Sequence, residues 1–322
     1  MRKLLRFCKK LFLRSIYWVT YKVMTQKADG DLLTLPEGRY FRLDIPTYDG
    51  SGQAVHPSLL VQGGNPRFIL AFTPYTDTDD RVENPSIVVS DDGLHFHEEV
   101  QGLNPLAAAP EKDHNDDPDL FLYNGKYGIL YLETMRPEKQ TLYLLESQDR
   151  IHWKKRAIHQ EVLASCGECF MLSPTYIEKD GVSYLFYVNR DAKDGYQIEY
   201  VTGSGLDSLD FENRKRVTVN GLKELPWHLD ILKDDGEYFM LLTTASDAGK
   251  DARYNLRKAT SPDLLDWTLD NNFRLADCYR SSGFIKDNML YLYVSKIFCS
   301  RWHRKKWNIL LYKAEKKGII KE

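Results

Sequence analysis

The chain lacks an uninterrupted apolar run long enough to span a bilayer, a glycine-rich phosphate loop, and histidines or carboxylates at metal-ligand spacing. The first absence excludes a transmembrane helix, the second argues against nucleotide chemistry, and the third leaves no metal set legible from spacing alone. Cysteine is scarce as well. Cys8, Cys166, Cys169, Cys278 and Cys299 are odd in number and irregularly spaced, which is not a disulfide framework and suits a reducing, cytoplasmic setting. Cys166 and Cys169 form a C-x-x-C, but no second pair stands at zinc-ribbon distance, so they read as ordinary thiols. Charge of one sign is missing too. The net charge is -2 with 28% charged residues, both signs interspersed, so no overall field recruits nucleic acid.

What the chain has is apolar mass and aromatic rings. Its 322 residues, 43% of them hydrophobic, can bury a large core. The 20 Tyr, 14 Phe and 6 Trp favour strands and also suit surfaces that stack on sugars. At the start, Leu4, Cys8, Leu11, Phe12, Ile16 and Val19 share one helical face while Lys3, Arg6, Lys10 and Arg14 take another. Arg14 breaks the apolar run and no small-residue cleavage site follows, so a signal peptide is not the reading. Residues 1–30 are expected to form a basic amphipathic anchor. Residues 1–24 would lie on an anionic inner leaflet, with Tyr17, Trp18 and Tyr21 at headgroup level. The competing reading packs this helix on the body formed by residues 31–322.

From about residue 38, short strands separated by Gly, Asp and Asn turns replace helical periodicity. Two motifs recur with a period of roughly sixty residues. One runs from a serine through an Asp or Gly turn to an aromatic: Ser90 to Phe96, Ser147 to Trp153, Ser204 to Phe211, Ser261 to Trp267. The other opens a strand: His56-Pro57-Ser58, Asp117-Pro118-Asp119, Ser173-Pro174-Thr175 and Trp227-His228-Leu229-Asp230, with Ser281-Ser282-Gly283 a weaker fifth. Asn124-Gly125, Asp180-Gly181 and Asp235-Gly236 then read as hairpin turns. Five units of about four strands predict an all-β chain, a five-bladed β-propeller preceded by the amphipathic helix. The first strand of each blade lines the central channel, so His56, Asp117, Asp119, Glu168, His228 and Asp230 converge on one funnel. The 38–45 region is expected to add a strand to the last blade and close the ring. The Ser-to-aromatic units fall on outer turns, where their role is blade packing.

These residues resemble a known group. Asp117-Pro118 followed by Asn124-Gly125-Lys126-Tyr127, the Ser-to-aromatic units, and Ser173-Pro174 followed by Asp180-Gly181 and Tyr184 are similar to the five-bladed propeller glycoside hydrolases. That clan includes the arabinanases and xylosidases of family 43 and the invertases and levansucrases of families 32 and 68. The likeness is strongest to family-43-like propellers, through His56 to Ser58, Thr73 to Tyr75, Glu83 to Ser86, His114 to Leu120, Ser173 to Pro174 and Trp227 to Asp230. It covers roughly residues 38–315.

The resemblance implies an enzyme that cleaves a glycosidic bond in a polysaccharide or oligosaccharide with two carboxyl groups, transfer being a variant of the same chemistry. It makes Asp117 the aspartate that tunes the acid, and Glu168 the acid. Where the family places an aspartate as base or nucleophile, this chain has His56. A histidine can act as general base, and Glu83, Asp119 or Asp230 are the acids available to fill the role instead. Catalytic candidates are thus Asp117, Glu168, His56 and Asp230. Glu83, His114, Asp119, Tyr75, Trp227, His228, Arg190 and Arg280 are candidates for holding the sugar. No cofactor is called for, although a structural divalent cation such as calcium, held by channel carboxylates, is compatible with this residue set. The rival is a non-catalytic carbohydrate-binding or scaffold propeller, to which His56 in place of an aspartate lends weight.

Overall fold

A computed structural model describes residues 15, 19, 21–163, 170–190, 195–247, 252–300, 304–318 and 320–321. Its strands form five sheets. Blade 1 is Ala54–Val61, Phe68–Pro74 and Ser86–Ser90. Blade 2 is His114–Tyr123, Lys126–Met135, Lys139–Ser147 and Lys154–Val162; blade 3 is Met171–Lys179, Val182–Asn189, Gln197–Gly203 and Lys215–Val217. Blade 4 is Leu225–Asp234, Glu237–Ala245, Tyr254–Ser261 and Trp267–Ala276. Blade 5 is Cys278–Lys286, Met289–Ser300 and Arg304–Glu315, completed by Tyr40–Arg42, which pairs antiparallel with Arg304–Glu315. The expected closing strand is therefore present.

Local sequence explains the meander. Asn124 and Gly125 have φ of 49° and 72°, Asp180 and Gly181 53° and 75°, Asp235 and Gly236 48° and 77°. Two consecutive positive φ values give the turn whose twist matches a hairpin. The Ser-to-aromatic units follow the third strand of blades 1 to 4, on outer turns as expected. In them the Asp149 and Asp263 carboxylates each accept two backbone N–H groups, while the Trp153 and Trp267 indoles donate back to the turn. Blade 1 departs from four strands. Asn104 exchanges two 2.8 Å side-chain hydrogen bonds with Ile87, and a single bridge joins Val89 to His97, so a side chain and one bridge replace the outer strand.

Between each neighbouring pair of blades lies one apolar core, and the five cores close a ring. Successive residues of the middle strands point to opposite neighbours. Ile129 and Tyr131 face blade 1 while Leu130 and Leu132 face blade 3. A strand buried on both faces needs no polar alternation, hence the continuous apolar runs.

Most of the expected N-terminal helix lies outside the described residues. Residues 21–24 are helical, and Tyr21 packs edge-on against Phe298 and beneath the Arg42 guanidinium. Among the described residues no helix is long and apolar enough to cross a membrane.

Candidate active site

All five inner strands carry a register irregularity at an equivalent place: between Val55 and Ser58, Asp116 and Asp119, Leu172 and Thr175, Pro226 and His228, and Cys278 and Arg280. In the first three blades the bulged residue precedes a proline. His56, Asp117 and Ser173 sit there at φ of 53°, 52° and 53°, a left-handed conformation costly for non-glycine residues and typical of functional positions. Five residues meet at this level: His56, Asp117 and Ser173 at the bulges themselves, and His228 and Arg280 immediately after the bulges at Trp227 and Tyr279.

Asp117 is the hub and is fully buried. Its Oδ1 accepts from Arg280 at 2.8 Å and lies 3.3 Å from His228 Nδ1 and 3.6 Å from His56 Nε2; its Oδ2 accepts from the Ser173 amide at 2.7 Å. Burial drives both imidazoles below the usual histidine range, His228 to about 4, against the pull of Asp117. Burial also opposes the Asp117 charge, but the surrounding donors overcome it and hold its carboxyl well below the usual carboxylate range. With both imidazoles neutral near pH 7, the Arg280 guanidinium is the cation that keeps Asp117 ionised. His56 Nε2 and both ring nitrogens of His228 are buried without a hydrogen-bond partner.

Two residues further along each strand lies a second ring: Ser58, Asp119, Thr175, Asp230 and Ser282. These groups sew the blades together. Ser58 Oγ accepts from the Leu120 amide, Asp119 Oδ2 from Tyr176, and Ser282 Oγ from Leu59, while Thr175 Oγ1 donates to the Leu229 carbonyl and Ser282 also bonds Asp230. Burial and the neighbouring Asp230 raise Asp119 to about 7, and burial raises Asp230.

A cavity of about 140 Å³ opens above the first ring. One wall is acidic, with Asp80, Glu83 and Asp116 around His114. His114 bridges Asp113 at 2.6 Å and Asp116 at 3.1 Å; although burial disfavours its cation, these carboxylates raise it to about 12. Glu83 is 4% exposed, and burial, aided by the charges of Asp116, Asp80 and Asp117, lifts it well above the carboxylate range despite His114. Burial thus favours the neutral, protonated form of Glu83. The opposite wall is aromatic and cationic: Trp227 and Tyr279, with Arg190 5.1 Å from the rings of both Trp227 and Tyr196.

The structure brings His56, Glu83, His114, Tyr75, Arg190, Trp227 and His228 to this cavity. Asp117 and Arg280 lie beneath it, clamped together, so Arg280 orders Asp117 and does not line the cavity. Asp119 and Asp230 sit one ring deeper. Glu168 lies outside the described residues. Sequence reasoning passed over Tyr279, Asp80, Arg136 and Thr134, which line the cavity, and did not single out Asp116 as a site residue. A signal for Tyr279 existed: Tyr279-Arg280-Ser281-Ser282 repeats the aromatic-polar-x-polar order of Trp227-His228-Leu229-Asp230.

A five-bladed propeller with a polar funnel at its axis is the architecture that the resemblance implied, and the comparisons agree. Residues 46–231 match "Glycosyl hydrolases family 32 N-terminal domain", and the chain belongs to that family. It is 24% identical over 278 residues to the A type blood N-acetyl-alpha-D-galactosamine deacetylase of Flavonifractor plautii, covering 70% of this chain and 36% of the relative. The chain thus spans about a third of that relative's length. In fold it is similar to the crystal structure of an N-acetylgalactosamine deacetylase from F. plautii in complex with blood group B trisaccharide, with a TM-score of 0.70, 19% identity and coverage of 85% and 94% of the two chains. A thermostable family-43 glycoside hydrolase superposes with a TM-score of 0.59, 13% identity and coverage of 84% and 97%; Bacillus subtilis arabinanase superposes with 0.54, 14%, 81% and 94%.

Proposed function

We propose that this protein is a carbohydrate-acting hydrolase that removes an N-acyl group from an amino sugar at the funnel cavity. The observation that carries this reading is the convergence of His56 Nε2, His228 Nδ1 and Asp117 Oδ1, ligand-type atoms lying within 4.8 Å of one another. At 3.3 and 3.6 Å from Asp117 Oδ1, the imidazole nitrogens make no hydrogen bond. These gaps match the roughly 3.4 Å edge of a tetrahedron built on bonds of about 2.0–2.1 Å, so the residues fit a divalent cation. When bound, such an ion supplies Lewis-acid polarisation of a carbonyl and a more acidic water. Glu83, on the cavity wall where burial favours its protonated form, supplies the proton that the departing amine nitrogen needs when the acyl carbon–nitrogen bond breaks. Water provides the oxygen of the released carboxylate. Trp227 and Tyr279 offer ring faces for the sugar. The likeness to a deacetylase supports this choice of bond.

Glycosidic cleavage is the second reading, favoured by membership in a glycosyl hydrolase family. Glu83 would again be the acid. Asp117, buried and clamped by Arg280, would tune and not attack, and the second carboxyl would come from Asp80 or Asp116 on the cavity wall or from Glu168. The experiment is to incubate the full chain with N-acetylhexosaminides and their hydroxyl counterparts, with and without chelator, measuring acetate and reducing ends separately. Acetate release that chelation abolishes and zinc restores is expected, with Glu83→Gln lowering it by about 10²–10⁴-fold. Reducing ends without acetate would replace this reading with the second. Sugar binding with neither product would leave a binding propeller.

A further inference from the structure

We propose that Thr73 is a positioning residue that holds the His56 imidazole as the tautomer protonated at Nδ1, with the Nε2 lone pair turned toward Asp117. Thr73 lies in the middle strand of blade 1 and is fully buried; its Oγ1 stands 3.0 Å from His56 Nδ1. The ring is held at its base as well, because the His56 amide donates to Ser295 Oγ of blade 5 at 3.1 Å. One ring nitrogen therefore has a partner and the other has none. Nε2 is buried without a hydrogen bond, and its 3.6 Å separation from Asp117 Oδ1 exceeds hydrogen-bond reach. A proton on Nε2 would be a buried donor without an acceptor, whereas a proton on Nδ1 finds the Thr73 oxygen. The Thr73 hydroxyl thus selects which nitrogen keeps its lone pair. That choice turns His56 into a ligand-type group. The inference rests on the proposed cation only for the use made of the lone pair; the tautomer itself does not depend on it.

The test is ¹⁵N-histidine NMR of the full chain for wild type, Thr73→Ser and Thr73→Val, with His56→Gln to assign the signal, and calorimetric zinc titration of the same proteins. The Nδ1–H tautomer is expected in wild type and the serine variant and should be lost or mixed in the valine variant. Zinc affinity should fall about 10–100-fold in Thr73→Val and less than roughly threefold in Thr73→Ser. A wild-type ring protonated at Nε2, or a valine variant that keeps the wild-type tautomer and zinc affinity, overturns the proposal. A wild type with the Nδ1 proton that binds no zinc supports the Thr73 assignment and sinks the cation reading instead.

Discussion

His114 shows how a buried histidine can be a fixed charge and not a switch. Its two nitrogens face Asp113 and Asp116, Glu83 is near, and Arg136 closes the outer side by pairing with Asp113. The folded chain holds the proton to about pH 12, whereas the unfolded chain releases it near the ordinary histidine value of 6.5. The stability that this proton confers is complete below about pH 6.5 and declines as pH rises, because only the unfolded chain then loses it. His114→Gln should therefore destabilise by about 3–5 kcal/mol at pH 6. The gap to wild type should narrow by pH 9, as measured by urea unfolding; a gap that widened with pH would show that His114 is neutral in the fold. The identities of these groups were legible in sequence, since His114 to Asp119 is the densest polar stretch. Their pairing was not, because Glu83 reaches His114 from another blade and nothing in linear order states the register between blades.

At the scale of elements, the hairpins were the most legible feature. Gly125 has φ of 72° and nothing within 4 Å of where a Cβ would stand, so its role is conformational alone. Gly125→Ala should cost about 1–2 kcal/mol, the price of a left-handed alanine, without a packing penalty. Gly125→Asn should cost less, and equal losses would point to a contact. The bulges were harder to see. Pro57, Pro118 and Pro174 follow three of them and Pro226 precedes the fourth, at Trp227, whereas the fifth, at Tyr279, has no proline beside it. The fifth motif was therefore placed at Ser281-Ser282, two residues past the bulge. His56 was read as an aspartate missing from its usual place, whereas the structure makes it a neutral imidazole facing Asp117.

At the scale of the molecule, closure depends on a strand from the opposite end of the chain. Tyr40 enters the core between blades 4 and 5, and Phe41 enters the core between blades 5 and 1. Two adjacent residues thus plug two cores at once. Phe41→Ala, at a side chain 2% exposed, should cost about 3–5 kcal/mol in thermal or urea unfolding. Zinc binding at the axis should be unchanged, and a smaller loss would mean that the ring tolerates an open seam. The separation of the two axial rings has a further consequence. His56, Asp117 and Ser173 stand outside the hydrogen-bond ladder of their own blades, and both rings carry bonds between blades: Ser173 Oγ donates to the Leu229 carbonyl and accepts from the Leu229 amide, and the ring below adds its own set. At the two histidines the atoms that face a ligand are not among those that keep the wheel shut, because no hydrogen bond between blades uses a ring nitrogen of His56 or His228. Positions 56 and 228 amount to a short combinatorial code, and a library randomised there alone would explore new chemistry on an unaltered chassis.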